Sequence, residues 1–343
     1  MKRPMKKSVK IILCVLAAVL VIGGAVGGYV GYQHAYHPSK WMAEGDDALP
    51  KIEFEEALGQ LPMLSDSWEE ALPQTEIRNL IEAHFASPLP EGKTAKKAIV
   101  IGYDGCRVDT LRLLPTAKRS AINHLLDNGG QGVFGYCGGV KYPAQNVQAT
   151  STAPGWCSML IGKWAGEIGV NKNGQPKPLE PKTLLLSLVE DGTVGKSAFY
   201  VSWAGHFSKK NATYINEKNY AEENGVNATF LRARSDEGTK SNVISDIRKQ
   251  DCSDFIFLTL EYTDHQGHAT GFGPQNVRYV SAFRDAEATG MDIIDAIEAR
   301  ASYGTEDWLI LITTDHGGVG LSHGGASFEE RMTFIISNKT ILG

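Results

Sequence analysis

The chain has 343 residues, 42% of them hydrophobic, and a formal net charge of −5. That is enough apolar residue to bury a large core, most of it within one sizeable α/β domain. The charge is uneven. Lys2, Arg3, Lys6, Lys7 and Lys10 account for five of the basic residues, and the remainder carries 29 basic against 39 acidic, or −10, which argues against a nucleic-acid-binding surface.

Segment 1–10 is basic and reads as cytoplasmic. The uncharged apolar run 11–32 follows, and Glu44, Asp46 and Asp47 come after it. About 20 helical residues cross a bilayer, so the run reads as a single transmembrane anchor. The positive-inside bias puts the N-terminus in the cytoplasm and the body outside, at the cell membrane. A cleaved signal peptide fits less well, because no small-x-small site follows Tyr32. Cys14 follows Ile-Ile-Leu, which does not make a lipoprotein site.

Residues 33–95 read as a stalk punctuated by prolines. Within it, Ile77, Leu80, Ile81, His84 and Phe85 share one face of a short helix starting near Thr75. On that face His84 is expected to be a packed residue and not a ligand. Residues 96–343 read as the catalytic domain. Runs 98–103, 196–202, 255–260 and 308–313 have the apolar character of buried parallel strands. Helical stretches at 114–127, 153–161, 181–190, 240–249 and 275–299 alternate with them. The expected fold is a doubly wound, mostly parallel sheet with helices on both faces.

Ligands in such sheets bind at the carboxyl ends of strands, and Asp104, Asp264 and Asp315 each stand just past one. Asp264 and His268 are four residues apart; Asp315 and His316 are adjacent, and His323 follows seven residues after His316. Carboxylate and imidazole together suit zinc, and also manganese or iron. His265 is expected to face away from the metals. Outside the anchor the cysteines are Cys106, Cys137, Cys157 and Cys252; none forms Cys-x-x-Cys, so no thiolate zinc site is indicated, and no disulfide pairing is selected.

A nucleophile is expected in 148–156, where Thr152 would cap a helix with Pro154 in its first turn. Thr150 and Ser151 are equally available hydroxyls on composition alone. A hydroxyl at a helix start lies near backbone N–H groups that can steady a phosphoryl oxygen.

The sequence resembles the alkaline phosphatase superfamily, and within it the type I phosphodiesterase/nucleotide pyrophosphatase branch, over residues 98–338. The carriers are Asp104-Gly105-x-Arg107-x-Asp109, Thr152-x-Pro154, Asp264-x-x-Gly267-His268-x-x-Gly271, Thr314-Asp315-His316-Gly317 and His323-Gly324-Gly325. The resemblance implies an alkaline-phosphatase-like fold and two divalent metals, zinc foremost. Asp104, Thr152, Asp315 and His316 would hold one metal, and Asp264, His268 and His323 the other. It implies Thr152 as nucleophile, a phosphothreonine intermediate, and Asn173 (with Asn171 as its neighbour and competitor) on a phosphoryl oxygen. The expected substrate is a phosphodiester or nucleotide-like small molecule.

Two departures from the branch bear on substrate identity. Pro154-Gly155-Trp156 stands where Pro-Asn-His is usual, and Ile168-Gly169 where His-Gly is usual. Both are expected at the substrate rim. The branch also continues beyond its last histidine, so a chain longer than one ending at Gly343 is expected. A monoesterase would want a further cation, for which Arg107 and Lys172 are candidates unless Arg107 pairs with Asp109. A sulfatase is disfavoured because Thr152 and Trp156 stand where Cys or Ser and Arg would be needed. A phosphotransferase of the same superfamily and a non-catalytic binding module are the remaining alternatives.

Overall fold

The computed structural model describes residues 54–64, 70–138 and 148–342. The basic segment 1–10, the anchor 11–32 and the first part of the stalk lie outside the described residues. No helix among the described residues is long and apolar enough to cross a membrane.

The apolar runs become strands of one eight-stranded sheet. In chain order these are β1 (Leu72–Pro73), β2 (Ala95–Tyr103), β3 (Gln131–Tyr136), β4 (Ser197–Val201), β5 (Ala228–Arg232), β6 (Phe255–Leu260), β7 (Glu306–Thr313) and β8 (Met332–Ser337). Their order across the sheet is β1-β3-β8-β7-β2-β6-β4-β5. β8 pairs antiparallel with both β3 and β7, and every other pairing is parallel.

β2 lies in the middle of the sheet, and its side chains alternate between two cores. Ala98 and Val100 join one apolar cluster, while Ile99, Ile101 and Tyr103 join the other. On the first face lie α1 (Glu76–Ala86), α3 (Thr152–Ile161) and α4 (Leu184–Glu190). On the second lie α2 (Ala121–Asp127), α5 (Asp236–Ile247) and α7 (Val277–Glu298). This is the expected α/β sheet covered on both faces. Helix α6 (Tyr262–Thr270) leads directly out of β6 at the carboxyl end of the sheet.

Two local differences from the sequence reading have physical causes. The stretch 114–127 is not one helix. A 3-10 segment over Val108–Thr116 gives way at Ala117 to extended backbone, and α2 starts afresh behind Ser120, whose side chain accepts from the Asn123 N–H. The latter part of the expected stalk, from Leu72, belongs to the domain: β1 pairs with β3, and Ile77 and Ile81 are fully buried. Arg78 on α1 also donates from Nη1 to the carbonyl of Leu160, at 3.2 Å, and so satisfies the carboxyl end of α3. His84 is buried beside the Lys97 carbonyl, with Nε2 at 3.1 Å, and burial lowers its pKa to about 4, as befits a packed neutral imidazole. Cys106, Cys137, Cys157 and Cys252 are all buried and unpaired.

Candidate metal centre and active site

Two of the three carboxylates are delivered by strand ends. Asp104 follows β2, and Asp315 follows β7 after one intervening residue; both are fully buried. Asp264 arrives differently, in the first turn of α6, with His268 in its last turn. The i, i+4 spacing therefore stacks the two on one helix face, with His268 Nε2 3.5 Å from Asp264 Oδ2. His323 reaches the same carboxylate from a loop, with Nε2 3.5 Å from Asp264 Oδ1. His316 Nε2 lies 3.3 Å from Asp315 Oδ2 and 3.7 Å from Asp104 Oδ1. The imidazoles of His316 and His323 stack with centroids 4.0 Å apart.

The ligand atoms form two groups that share one member. Asp264, His268 and His323 form the first, and Asp104, Asp264 and His316 the second; within each, one atom per residue lies within 4.8 Å of the others. His265 belongs to neither group.

The hydrogen bonds behind the imidazoles decide what the cluster wants. Nδ1 meets a backbone carbonyl in all three: Gly317 at 2.7 Å for His316, Thr150 at 2.7 Å for His323, and Leu321 at 2.9 Å for His268. A carbonyl only accepts, so Nδ1 carries the proton and each Nε2 turns a lone pair toward carboxylate oxygens. Lone pair facing lone pair is unfavourable without a cation between them. Consistently, Asp264 Oδ1, Asp315 Oδ2 and His316 Nε2 are buried without a hydrogen-bond partner. Burial raises the pKa of Asp104 and Asp315 well above the usual carboxylate range, with Asp264 adding to it in each case. Burial also raises Asp264 to about 7 and lowers His316 and His323. A divalent cation, which needs deprotonated oxygen and nitrogen ligands, answers all of these costs together.

Thr152 is the first residue of α3, and Ser151 occupies the N-cap. The hydroxyl of Thr152 is therefore not spent on capping and lies 3.4 Å from Asp104 Oδ1. Thr150 is committed elsewhere, donating to Gly325 O and accepting from Gly324 N. The expectation that backbone N–H groups of the helix start would face a phosphoryl oxygen needs narrowing. The Ala153 N–H is bonded to Asn173 Oδ1 at 2.8 Å, and Pro154 has none. Because that bond takes the oxygen of Asn173, its Nδ2 amide is left for the cavity that Asn173 and Thr152 both line.

This cavity, of about 920 Å³, is also lined by Asp264, His268 and His323, and by Trp203, Arg232 and Arg234. Sequence reasoning missed the latter three because they lie on and around β4 and β5, far along the chain from any motif. His265 lines the cavity too. Arg107 is not available to a substrate: its guanidinium holds Asp109 at 2.7 and 3.0 Å.

The Pro154-Gly155-Trp156 departure lies beneath the carboxylates and not at the rim. Trp156 is fully buried and donates from Nε1 to Asp104 Oδ2 at 2.8 Å. Gly155 passes so close to Asp315 that an added Cβ would stand 2.8 Å from Asp315 Cβ.

The profile described as type I phosphodiesterase / nucleotide pyrophosphatase matches residues 98–332. No curated protein sequence matches the chain. Among solved structures, murine ectonucleotide pyrophosphatase / phosphodiesterase 5 is 18% identical, with 64% of this chain and 57% of that one covered and a TM-score of 0.44. The C-terminal periplasmic domain of phosphoethanolamine transferase EptC from Campylobacter jejuni is 13% identical, covering 72% and 81%, at 0.45. Alkaline phosphatase from the Antarctic bacterium TAB5 is 13% identical, covering 71% and 91%, at 0.42. The chain spans 57% of the length of the murine protein. With the profile running through every residue of the cluster, from β2 to the start of β8, the chain belongs to the type I phosphodiesterase / nucleotide pyrophosphatase family.

Proposed function

We propose that this protein is a membrane-anchored, extracytoplasmic phosphodiesterase or nucleotide pyrophosphatase that uses two divalent metals, zinc foremost, and Thr152 as nucleophile. The observation that carries the reading is the set of unpartnered atoms at Asp264, Asp315 and His316 beside a threonine hydroxyl that caps nothing. Asp104, Asp315, His316 and Thr152 would hold one metal, and Asp264, His268 and His323 the other. When bound, such a pair supplies Lewis-acid stabilisation of charge on the attacking and leaving oxygens.

The chain's own residues do the rest. Thr152 Oγ1 gives up its proton to water and bonds to phosphorus in the cavity as the bond to the opposite ester oxygen breaks; that oxygen takes a proton from water and leaves with its alcohol or nucleotide. Asn173 donates from Nδ2 to a non-bridging oxygen, its orientation fixed by the Ala153 N–H. A water molecule then displaces Thr152 from the phosphothreonine, which still carries the second ester group, so that a phosphomonoester leaves and the Thr152 hydroxyl is restored. A phosphomonoester would bring a third unesterified oxygen and a second negative charge, and Arg107, locked onto Asp109, is not available to meet them.

The chelated full-length protein, reloaded with zinc, should hydrolyse bis(p-nitrophenyl) phosphate with higher kcat/KM than p-nitrophenyl phosphate. A monoester preference would move the function to phosphatase. Zinc binding without turnover of either ester would favour the phosphotransferase or binding reading, and absence of zinc binding would sink the proposal.

The anchor reading of 11–32 has its own test. In sealed right-side-out vesicles, added protease should digest the catalytic domain without detergent. Protection until detergent is added would reverse the topology.

A further inference from the structure

Asp104 has two carboxylate oxygens with different surroundings. Oδ2 accepts the indole N–H of Trp156 at 2.8 Å, while Oδ1 faces the Thr152 hydroxyl at 3.4 Å and His316 Nε2 at 3.7 Å. A carboxylate left free can turn about its Cβ–Cγ bond and exchange the two. An indole N–H is a donor only, so it fixes which oxygen is engaged.

The indole itself cannot shift. It is fully buried, it meets Phe257 edge-on at 5.7 Å, and it fills the space over Gly102 so closely that a Cβ there would come within 2.4 Å of its Cη2. The same helical turn supports the second buried carboxylate, since Gly155 lies directly against Asp315. Gln74 in turn donates from Nε2 to the Gly155 carbonyl at 3.2 Å, tying the turn to the segment before α1.

We propose that Trp156 is a positioning residue of the metal centre, holding Asp104 by one oxygen so that the other is presented to metal and nucleophile together. This rests on the metal-centre reading above. The competing explanation is that Asp104 merely satisfies a buried indole, as any buried indole N–H requires. The two differ in what removal of the N–H does to metal binding.

The test uses the full-length protein and zinc alone, titrated against a chromophoric chelator. Trp156→Phe keeps an aromatic ring and removes the donor. It should weaken zinc binding about 10- to 100-fold, the usual effect of losing a partner behind a metal ligand, and lower kcat on the diester more than it raises KM. In an Asp104→Asn background the same change should have no further effect on zinc affinity, because Trp156 acts through that carboxylate. Should the phenylalanine variant fail to fold, 3-benzothienylalanine at position 156 supplies the isostere, with sulfur in place of N–H and the ring shape kept. Its zinc affinity should fall by the same factor.

Unchanged zinc affinity in the variant or in the isostere overturns the positioning role while leaving the metal centre intact. An equal loss in the Asp104→Asn background overturns it as well. A parent protein that binds no zinc is seen before any substitution and overturns both readings.

Discussion

Replacing Thr152 by alanine is expected to lower kcat on a p-nitrophenyl diester by roughly 10⁴-fold or more, as loss of a nucleophile does elsewhere, with KM little changed. The structure makes this a clean substitution. Thr152 lies inside the helix and makes no capping bond, and among the described residues the one protein bond of Oγ1 is the 3.4 Å contact to Asp104. Thr152 is buried, so stability should fall by about 1 kcal/mol, the effect of removing one buried methyl group. Thr152→Ser keeps the hydroxyl and should keep turnover. An acid-quenched reaction on bis(p-nitrophenyl) phosphate, examined by mass spectrometry, should show a mono(p-nitrophenyl) phosphoryl group on Thr152 in the parent and none in the alanine variant. An alanine variant working within tenfold of the parent would remove Thr152 from the mechanism.

The second large effect is expected at Asp264, the one residue common to both ligand groups. In the metal-free protein, burial raises its pKa from 3.8 to about 7. An acid raised in this way binds more protons folded than unfolded between those values. Its stabilising share is present below the unfolded pKa and is lost as pH rises through 7. The metal-free parent should thus lose stability from about pH 4 to 7. Zinc should reverse the slope, because binding needs the carboxylates ionised. At zinc 1,000-fold above Kd the parent should gain about 4 kcal/mol, or roughly 10 °C in Tm.

Asp264→Asn removes one buried charge while disabling a shared ligand. The metal-free variant should be more stable than the parent at pH 8, yet gain only a few degrees at the same zinc concentration. Differential scanning calorimetry at pH 5 and pH 8, with and without zinc, separates these effects. A variant stabilised by zinc as strongly as the parent would show that Asp264 is not shared.

The strands legible in the sequence were those with unbroken apolar runs, such as Phe255–Leu260, which the structure reproduces residue for residue. β3 was hidden because Gly132 and Gly135 interrupt its pattern, and β5 because it is an edge strand with Leu231 and Arg232 exposed. β8 begins directly behind a short helix over Phe328–Arg331, leaving no turn signal to mark it. In the site, Asp104 and Asp315 were visible as strand ends. The helical setting of Asp264 and His268 was not, although their four-residue spacing is the signature of one helix face. Trp156 escaped because an indole in an apolar helix reads as core. It is core, and only the position of Asp104 at the end of β2 shows what its N–H does.

The antiparallel strand β8 has a consequence for how the chain is made. Among the described residues, β1 and β3 join the rest of the sheet through β8 alone, since β3 pairs only with β1 and β8, and β8 with β7. Residues emerging from the ribosome can assemble β2, β4, β5, β6 and β7 in turn, but Gln131–Tyr136 must wait some two hundred positions for its partner at Met332–Ser337. Until then two strand edges, on β3 and β7, stay open to pairing with other chains. Sheet closure is thus a late, long-range event that cannot begin before Met332–Ser337 has been made.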